Sequence, residues 1–397
     1  LRSVDNAGNY SDWKLAFIFN YKAAVIPNVS SAREINGLTS DVWQKGVNRP
    51  SFVWDVPDEN ITGYRVYFGT NPNGTSDYFT SQTAYSPSEP VTNTGTYYLR
   101  VQSVLSSGKH SEWNTVFVFK YDISRPDPVA YPITELTGSQ PNICQSVTRS
   151  PHFVWGKPAD VGSGVAGYKY LWTKDPNEIN EEKAAFIGGE SLVLDNIDGG
   201  IHFLLQKAFD YTGNESDWTI TYDFCYALAE GYVFPTEDTE ITATLPDSNN
   251  QVTLQLPAGM HDDLLKIMVY DGTANTPPVA DFRMLGTSFG LEAISATTNE
   301  NIKNFNKPYT IRVTYTDEDV ADIDPTTLKI YYRNPETGEW EALPTSTVDT
   351  VNRVVTATID HMSEYGVMGL RQTENSYAVV NVQGQSTFNI EAAPVDF

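Results

Sequence analysis

Cysteine is nearly absent, at two residues in 397. That excludes a disulfide-dense small scaffold and a cysteine-rich metal site. Histidine is sparse too: His110, His152, His202, His261 and His361 stand far apart with no ligand spacing, which argues against Zn²⁺. Basic residues are outnumbered, 26 Lys and Arg against 50 Asp and Glu, for a net charge of −24. A surface of that sign repels phosphate backbones and anionic lipid, so nucleic acid and membrane surfaces are excluded as favoured partners. No apolar run is long enough to span a bilayer, and Leu15-Ala16-Phe17-Ile18-Phe19 is strand length. There is no secretion leader, and the chain opens on Leu1 rather than Met. It therefore reads as a processed product or a piece of something longer. No G-x-S-x-G elbow, phosphate loop or dinucleotide fingerprint occurs, and no carboxylate pair is singled out, so no enzyme is expected.

What the chain has is aromatics, at 12%, which favour pleated, half-buried surfaces. It also has one turn written three times. Gly8-Asn9-Tyr10-Ser11-Asp12-Trp13 returns as Gly108-Lys109-His110-Ser111-Glu112-Trp113 and as Gly213-Asn214-Glu215-Ser216-Asp217-Trp218. Each copy follows an alternating run and precedes strand formers, at Leu15 to Tyr21, Val116 to Tyr121 and Ile220 to Tyr226, the pattern of a β-hairpin. The tryptophans recur at intervals of 100 and 105 residues, about one sandwich domain. The fold class expected is all-β, as tandem sandwiches. The turn opens on Asp5 and Asp210 but on Leu105 in the middle copy. An Asp there closes the turn on its own backbone, and one carboxylate falls far short of a Ca²⁺ shell.

Residues 1–22 align only with the last hairpin of a repeat, and an isolated hairpin is marginal in water. Residues 23–122 form one complete repeat and 123–229 another. The first carries Phe52-Val53-Trp54, Pro57, Gly63-Tyr64-Arg65-Val66-Tyr67-Phe68 and Gly95-Thr96-Tyr97-Tyr98-Leu99. The second carries Phe153-Val154-Trp155, Pro158, Gly167-Tyr168-Lys169-Tyr170-Leu171-Trp172 and Gly200-Ile201-His202-Phe203-Leu204. With the Trp-ending hairpin, this succession resembles the fibronectin type III-like repeats of large bacterial surface proteins. The resemblance covers 1–229 and implies an immunoglobulin-like sandwich in an extracellular setting, one that spaces, displays or adheres. Trp54, Trp155, Trp113 and Trp218 are expected as core or turn packing rather than sugar platforms.

From 230 to 370 the style changes to a distinct β-sandwich, with strands around Ile241 to Leu245, Val252 to Gly259, Leu264 to Val269, Thr310 to Tyr315, Leu328 to Tyr332 and Val354 to Ile359. Its closing segment His361-Met362-Ser363-Glu364-Tyr365-Gly366-Val367 resembles the end of the self-cleaving sandwich domains of adhesion-type receptors. That resemblance implies His361 as base and Ser363 as nucleophile cutting the Met362–Ser363 bond; the competing expectation is a packed, uncut final strand. The flanking cysteines of the receptor version are missing. Residues 371–397 hold two strand candidates, Tyr377 to Val382 and Ser386 to Ala392, too few for a domain.

Asp317, Asp319, Asp322 and Asp324 make an acidic loop without the glycine and terminal glutamate of an EF-hand. A solvated turn is the first expectation and structural calcium the second; no other cofactor is expected. Cys144 and Cys225 fall in one repeat, where the first repeat has Trp43 and Lys120, and are expected as a disulfide. Glycosylation sequons occur at Asn9, Asn28, Asn60, Asn73 and Asn214. The functional expectation is a structural subunit or segment of an extracellular filament, sheath or surface layer. Its partners would be copies of itself in a polymer or flanking segments of a longer chain, joined by strand complementation. The alternative is the non-catalytic accessory region of a secreted hydrolase, or an adhesin.

Overall fold

A computed structural model describes residues 1–20, 25–272 and 281–372. The chain is 42% strand and 2% helix, so the all-β class holds. By compactness it divides into two units. One comprises residues 1–127, 158–166 and 208–216; the other comprises 128–157, 167–207 and 217–397.

In the first unit, residues 25–122 form a sandwich. A five-stranded sheet runs in the order Trp43–Gln44, Asn114–Tyr121, Gly95–Leu105, Ile61–Gly69, Phe79–Thr80, and faces a three-stranded sheet of Arg33–Glu34, Phe52–Val53 and Ala84–Tyr85. Period-two alternation explains which side chains go inward. Leu99 and Val101 are fully buried on one strand, Phe117, Phe119 and Tyr121 on its neighbour. Trp54 is 5% exposed and meets the Tyr64 ring edge-on at 5.3 Å.

Residues 1–20 behave differently. The turn forms, with a bridge between Val4 and Tyr10, and Leu1 and Lys14 exchange backbone bonds. Beyond it, the strand expected from Leu15 takes no ladder through residue 20; Tyr21 lies outside the described residues. Leu15, Phe17 and Ile18 are 79%, 77% and 66% exposed.

The second repeat, most of which falls in the second unit, keeps the same two-sheet plan. Its five strands are ordered Cys144–Gln145, Thr219–Tyr226, Gly200–Asp210, Val165–Thr173, Ala185–Ile187, and its three are Ser191–Val193, His152–Val154, Thr134–Glu135. After it, one sheet carries Ala229–Val233, Leu265–Asp271, Phe289–Ser295, Glu364–Leu370, Lys329–Arg333 and Trp340–Ala342 in that order, with Phe282–Met284 also paired to Glu364–Leu370. The facing sheet is Thr239–Thr244, Gln251–Leu256, Tyr309–Thr314, Val354–Ile359 and Thr347–Asp349. Between them Val252, Leu254, Ile267, Ile311, Val355 and Tyr365 are all fully buried. Trp155 is buried, 9% exposed, and meets the Tyr168 ring edge-on at 5.2 Å. The strand candidates beyond Gln372 lie outside the described residues.

Candidate functional site

The repeated turn is one structure made three times. Its fourth residue sits at positive φ in every copy, at +87° for Gly8, +78° for Gly108 and +80° for Gly213. Only glycine takes that conformation without a Cβ penalty. The serine three residues later replaces a missing ladder bond: Ser11 Oγ accepts from the Ser3 amide, Ser111 Oγ from Ser103 and Ser216 Oγ from Ala208, at 2.9–3.0 Å. Asp5 Oδ1 accepts the amides of Ala7 and Asn9, and Asp210 Oδ1 those of Thr212 and Asn214. The signature is thus accounted for by backbone geometry. Trp218 is half-buried against the cluster of Leu171, Phe203 and Leu205, its indole N–H donating to Glu181 at 2.8 Å while the Lys207 ammonium lies over the ring.

The two cysteines occupy matching register positions on neighbouring parallel strands and are bonded to each other. The equivalent pair in the first repeat is Trp43 and Lys120, also in register, with the ammonium 5.7 Å from the indole.

In the closing segment, the Ser363 hydroxyl donates to the Arg333 carbonyl at 3.0 Å, not to His361. His361 Nδ1 instead lies 3.1 Å from Asp360, and its ring meets Tyr332 edge-on. Tyr309 and Tyr365 both donate to the His361 carbonyl. The segment from Glu364 is a strand of the large sheet. His361 and Ser363 also line a surface cavity of about 810 Å³ with Lys174, Tyr270, Glu292 and Arg333. Burial raises the carboxyl of Glu292 above its ordinary range and pushes the Tyr270 phenol up likewise. These groups do not form a nucleophile–base pair.

The acidic loop is dispersed among separate partners. Arg353 grips Asp317 with two bonds of 2.7 Å and holds its carboxyl below the usual range. Arg283 donates one bond to Asp322 and likewise holds that carboxyl below its usual range. Asp319 accepts from Thr316 and Asn250, and Asp324 caps a short 3₁₀ turn through the Thr326 amide. The four are not brought to a common point.

Of the sequon asparagines, Asn9, Asn60 and Asn73 are exposed, and Asn60 donates its amide to Asp58. Asn28 donates its amide to the carbonyls of Val101 and Glu112, an internal pin rather than a free acceptor. Asn9 and Asn214 donate theirs to the turn aspartates Asp5 and Asp210.

A different set of carboxylates does converge. Asp122, Asp160 and Asp210 place ligand oxygens within 4.8 Å of one another, all within the first unit. Asp122 directly follows the last strand of the first repeat and is 0% exposed; Asp210 is 2% exposed. Asp160 lies in the loop after Trp155 and Pro158. Asp122 accepts from the Ser124 and Ser163 amides and the Thr94 hydroxyl. Asp160 Oδ2 accepts from the amides of Gly162 and Gly164. Gly162 lies so close that a Cβ would stand 2.2 Å from the Asp122 carboxylate. Of the three, Asp210 alone stands in the repeated turn that the sequence shows. The available signal was an insertion: Trp54 stands nine residues before Gly63, whereas Trp155 stands twelve before Gly167, and the extra residues hold the Asp160–Gly164 loop.

No family model matches this chain, and no curated protein does. Among solved structures, the fibronectin(III)-like modules of Clostridium thermocellum CbhA share 11% identity with it. That match covers 49% of this chain and 93% of theirs, at a TM-score of 0.20. The FN1–FN3 domains of chicken CNTN1 share 13% over 72% of this chain and 91% of theirs, at 0.24. At such scores the fold rests on the sheets described above, not on the likeness. Among the described residues no helix is long and apolar enough to cross a membrane.

Proposed function

We propose that this chain is a non-catalytic structural element of the cell exterior, built of β-sandwich modules and joined to its neighbours by strand complementation. The observation that carries this is the hairpin at residues 1–20. Its turn is fully formed, yet Trp13, Leu15 and Phe17 are 73%, 79% and 77% exposed. Leu15 and Phe17 are two apart and so share one face of an extended chain. A soluble protein does not leave such a face and an open strand edge to water. Strands from a neighbouring copy, or from a flanking segment of a longer chain, would cover both. A head-to-tail contact of that kind propagates into a polymer. The disulfide supports an oxidising, extracellular setting. Self-cleavage is not part of this reading, because the Ser363 hydroxyl is committed to a carbonyl rather than to His361.

Deleting residues 1–20 is the test, read by electron microscopy and sedimentation of the purified protein. The expected outcome is folded central sandwiches that no longer assemble. Assembly undiminished by the deletion would refute the proposal, and an intact chain that stays monomeric at every concentration would refute completion of the hairpin by a neighbouring copy.

A further inference from the structure

The three converging carboxylates carry an inference independent of assembly. Two of them are essentially inaccessible to water, yet among the described residues none has an ion-pair partner. Every bond they accept comes from a neutral donor: backbone amides, the hydroxyls of Thr94 and Thr212, and the Asn214 amide. Lys45, close by, donates to the Gly213 carbonyl at 2.6 Å and not to a carboxylate. Removing several like charges from water without a counter-charge is strongly unfavourable.

A second observation points to what supplies the charge. Asp160 Oδ1 is buried and has no hydrogen-bond partner, the one carboxylate oxygen of the six left without one. The Ser163 hydroxyl, on the residue whose amide holds Asp122, is likewise buried and unpartnered. An orphaned carboxylate oxygen and an orphaned hydroxyl three residues apart in one loop, with three carboxylates whose oxygens lie within 4.8 Å of one another, offer a donor set of hard oxygens. We propose that Asp122, Asp160 and Asp210 bind a divalent cation of the calcium class, with Asp160 Oδ1 and the Ser163 hydroxyl as ligands. Ca²⁺ takes six to eight oxygens in an adaptable geometry and accepts water for the remainder; Mg²⁺ demands a tighter octahedron.

Asp210 alone would not justify this, because Asp5 makes the same turn bonds without such neighbours. What differs is the company. The residue just after the last strand of the first repeat is Asp122, while the second repeat supplies Asp160 from a loop and Asp210 from the end of a strand. The cation would tie both to the end of the first repeat. In the first repeat Leu105 stands at the position of Asp210, so the device belongs to one junction and not to the repeat as such.

The test uses the full chain, with Ca²⁺ alone as the probe. Calorimetry should show one saturable site, and Asp160→Asn should weaken it at least tenfold. That variant keeps a carbonyl oxygen for the Gly162 and Gly164 amides. Asp317→Asn, at a carboxylate held by Arg353, should leave the affinity unchanged. On the unmodified protein, hydrogen exchange in 5 mM Ca²⁺ against chelator should slow selectively in residues 158–166 and 208–216. No saturable binding, an unaffected Asp160→Asn variant, or unchanged exchange in those segments would each overturn the proposal. Equal protection by Mg²⁺ at the same concentration would overturn the calcium assignment.

Discussion

The hairpins at residues 1–20 and 95–121 share a signature and a turn, and differ in everything beyond it. In both, the amide of the turn's first residue bonds the carbonyl four residues on, and the glycine amide bonds back (Asp5 to Asn9 and Gly8 to Asp5; Leu105 to Lys109 and Gly108 to Leu105). Yet Phe117 is 3% exposed while its counterpart Phe17 is 77% exposed. The turn is therefore a local product of glycine at positive φ and a serine that bonds the facing strand. The strands are not: they extend only when a sheet and an opposing layer are there to receive them. A two-stranded ribbon has neither.

The strongest way to break this comparison is to truncate the matched ring in each copy. Phe117→Ala removes a ring seated against Phe52 at 5.0 Å and should cost the first repeat about 3–5 kcal/mol. Phe17→Ala should change the stability of the isolated chain by less than about 0.5 kcal/mol, the range of a surface substitution. Chemical denaturation of both variants decides it. A comparable loss in Phe17→Ala would mean that the first hairpin is already packed in the isolated chain.

The same contrast explains what could be read from the sequence. Strands with one wet face announced themselves by alternation: Gln251–Leu256 buries Val252, Leu254 and Leu256 and exposes Gln251 and Gln255. Phe289–Ser295 carries no such signal, because six of its seven residues are buried and no period-two pattern is left. The turns were legible because their chemistry is local. The carboxylate cluster was not, because Asp122, Asp160 and Asp210 are separated by 38 and 50 residues and meet only through tertiary packing. The acidic loop at 317–324, visible as a run, is instead divided among Arg353, Arg283, Thr316 and Thr326.

A second contrast lies between the two complete repeats and has a smaller expected effect. Tyr97 stacks on Phe68 in the first repeat, and His202 stacks on Trp172 at 4.9 Å at the matching place in the second. Burial, with a smaller contribution from Lys174, lowers the His202 imidazole to about 3. The folded value lies below the ordinary 6.5, so the unfolded chain takes up the proton first. Stability is full above about pH 6.5 and is lost as pH falls toward 3. Between pH 7 and 4.5 the second repeat should lose about 2–3 kcal/mol through this ring. His202→Tyr, which copies the first repeat, should flatten that slope in urea titrations at the two pH values. An unchanged slope would show that other groups set the acid response.

The smallest effect sharpens the comparison most directly. No atom lies within 4 Å of the Cβ that alanine would add at Gly8 or Gly108, so substitution there costs only backbone strain. At φ +78° that is about 1 kcal/mol. Gly108→Ala should pass this cost to the first repeat, because its turn joins two strands of the core sheet. Gly8→Ala strains an equivalent turn, but the turn is coupled to no core in the isolated chain, so unfolding of the sandwiches should be unmoved. Once the hairpin is seated in a neighbour, the two positions become equivalent, and Gly8→Ala should then weaken association about fivefold, the same 1 kcal/mol read at an interface. Sedimentation of the assembled protein measures that shift. A Gly8→Ala variant that assembled with unchanged affinity would show that the hairpin stays outside the polymer's contacts.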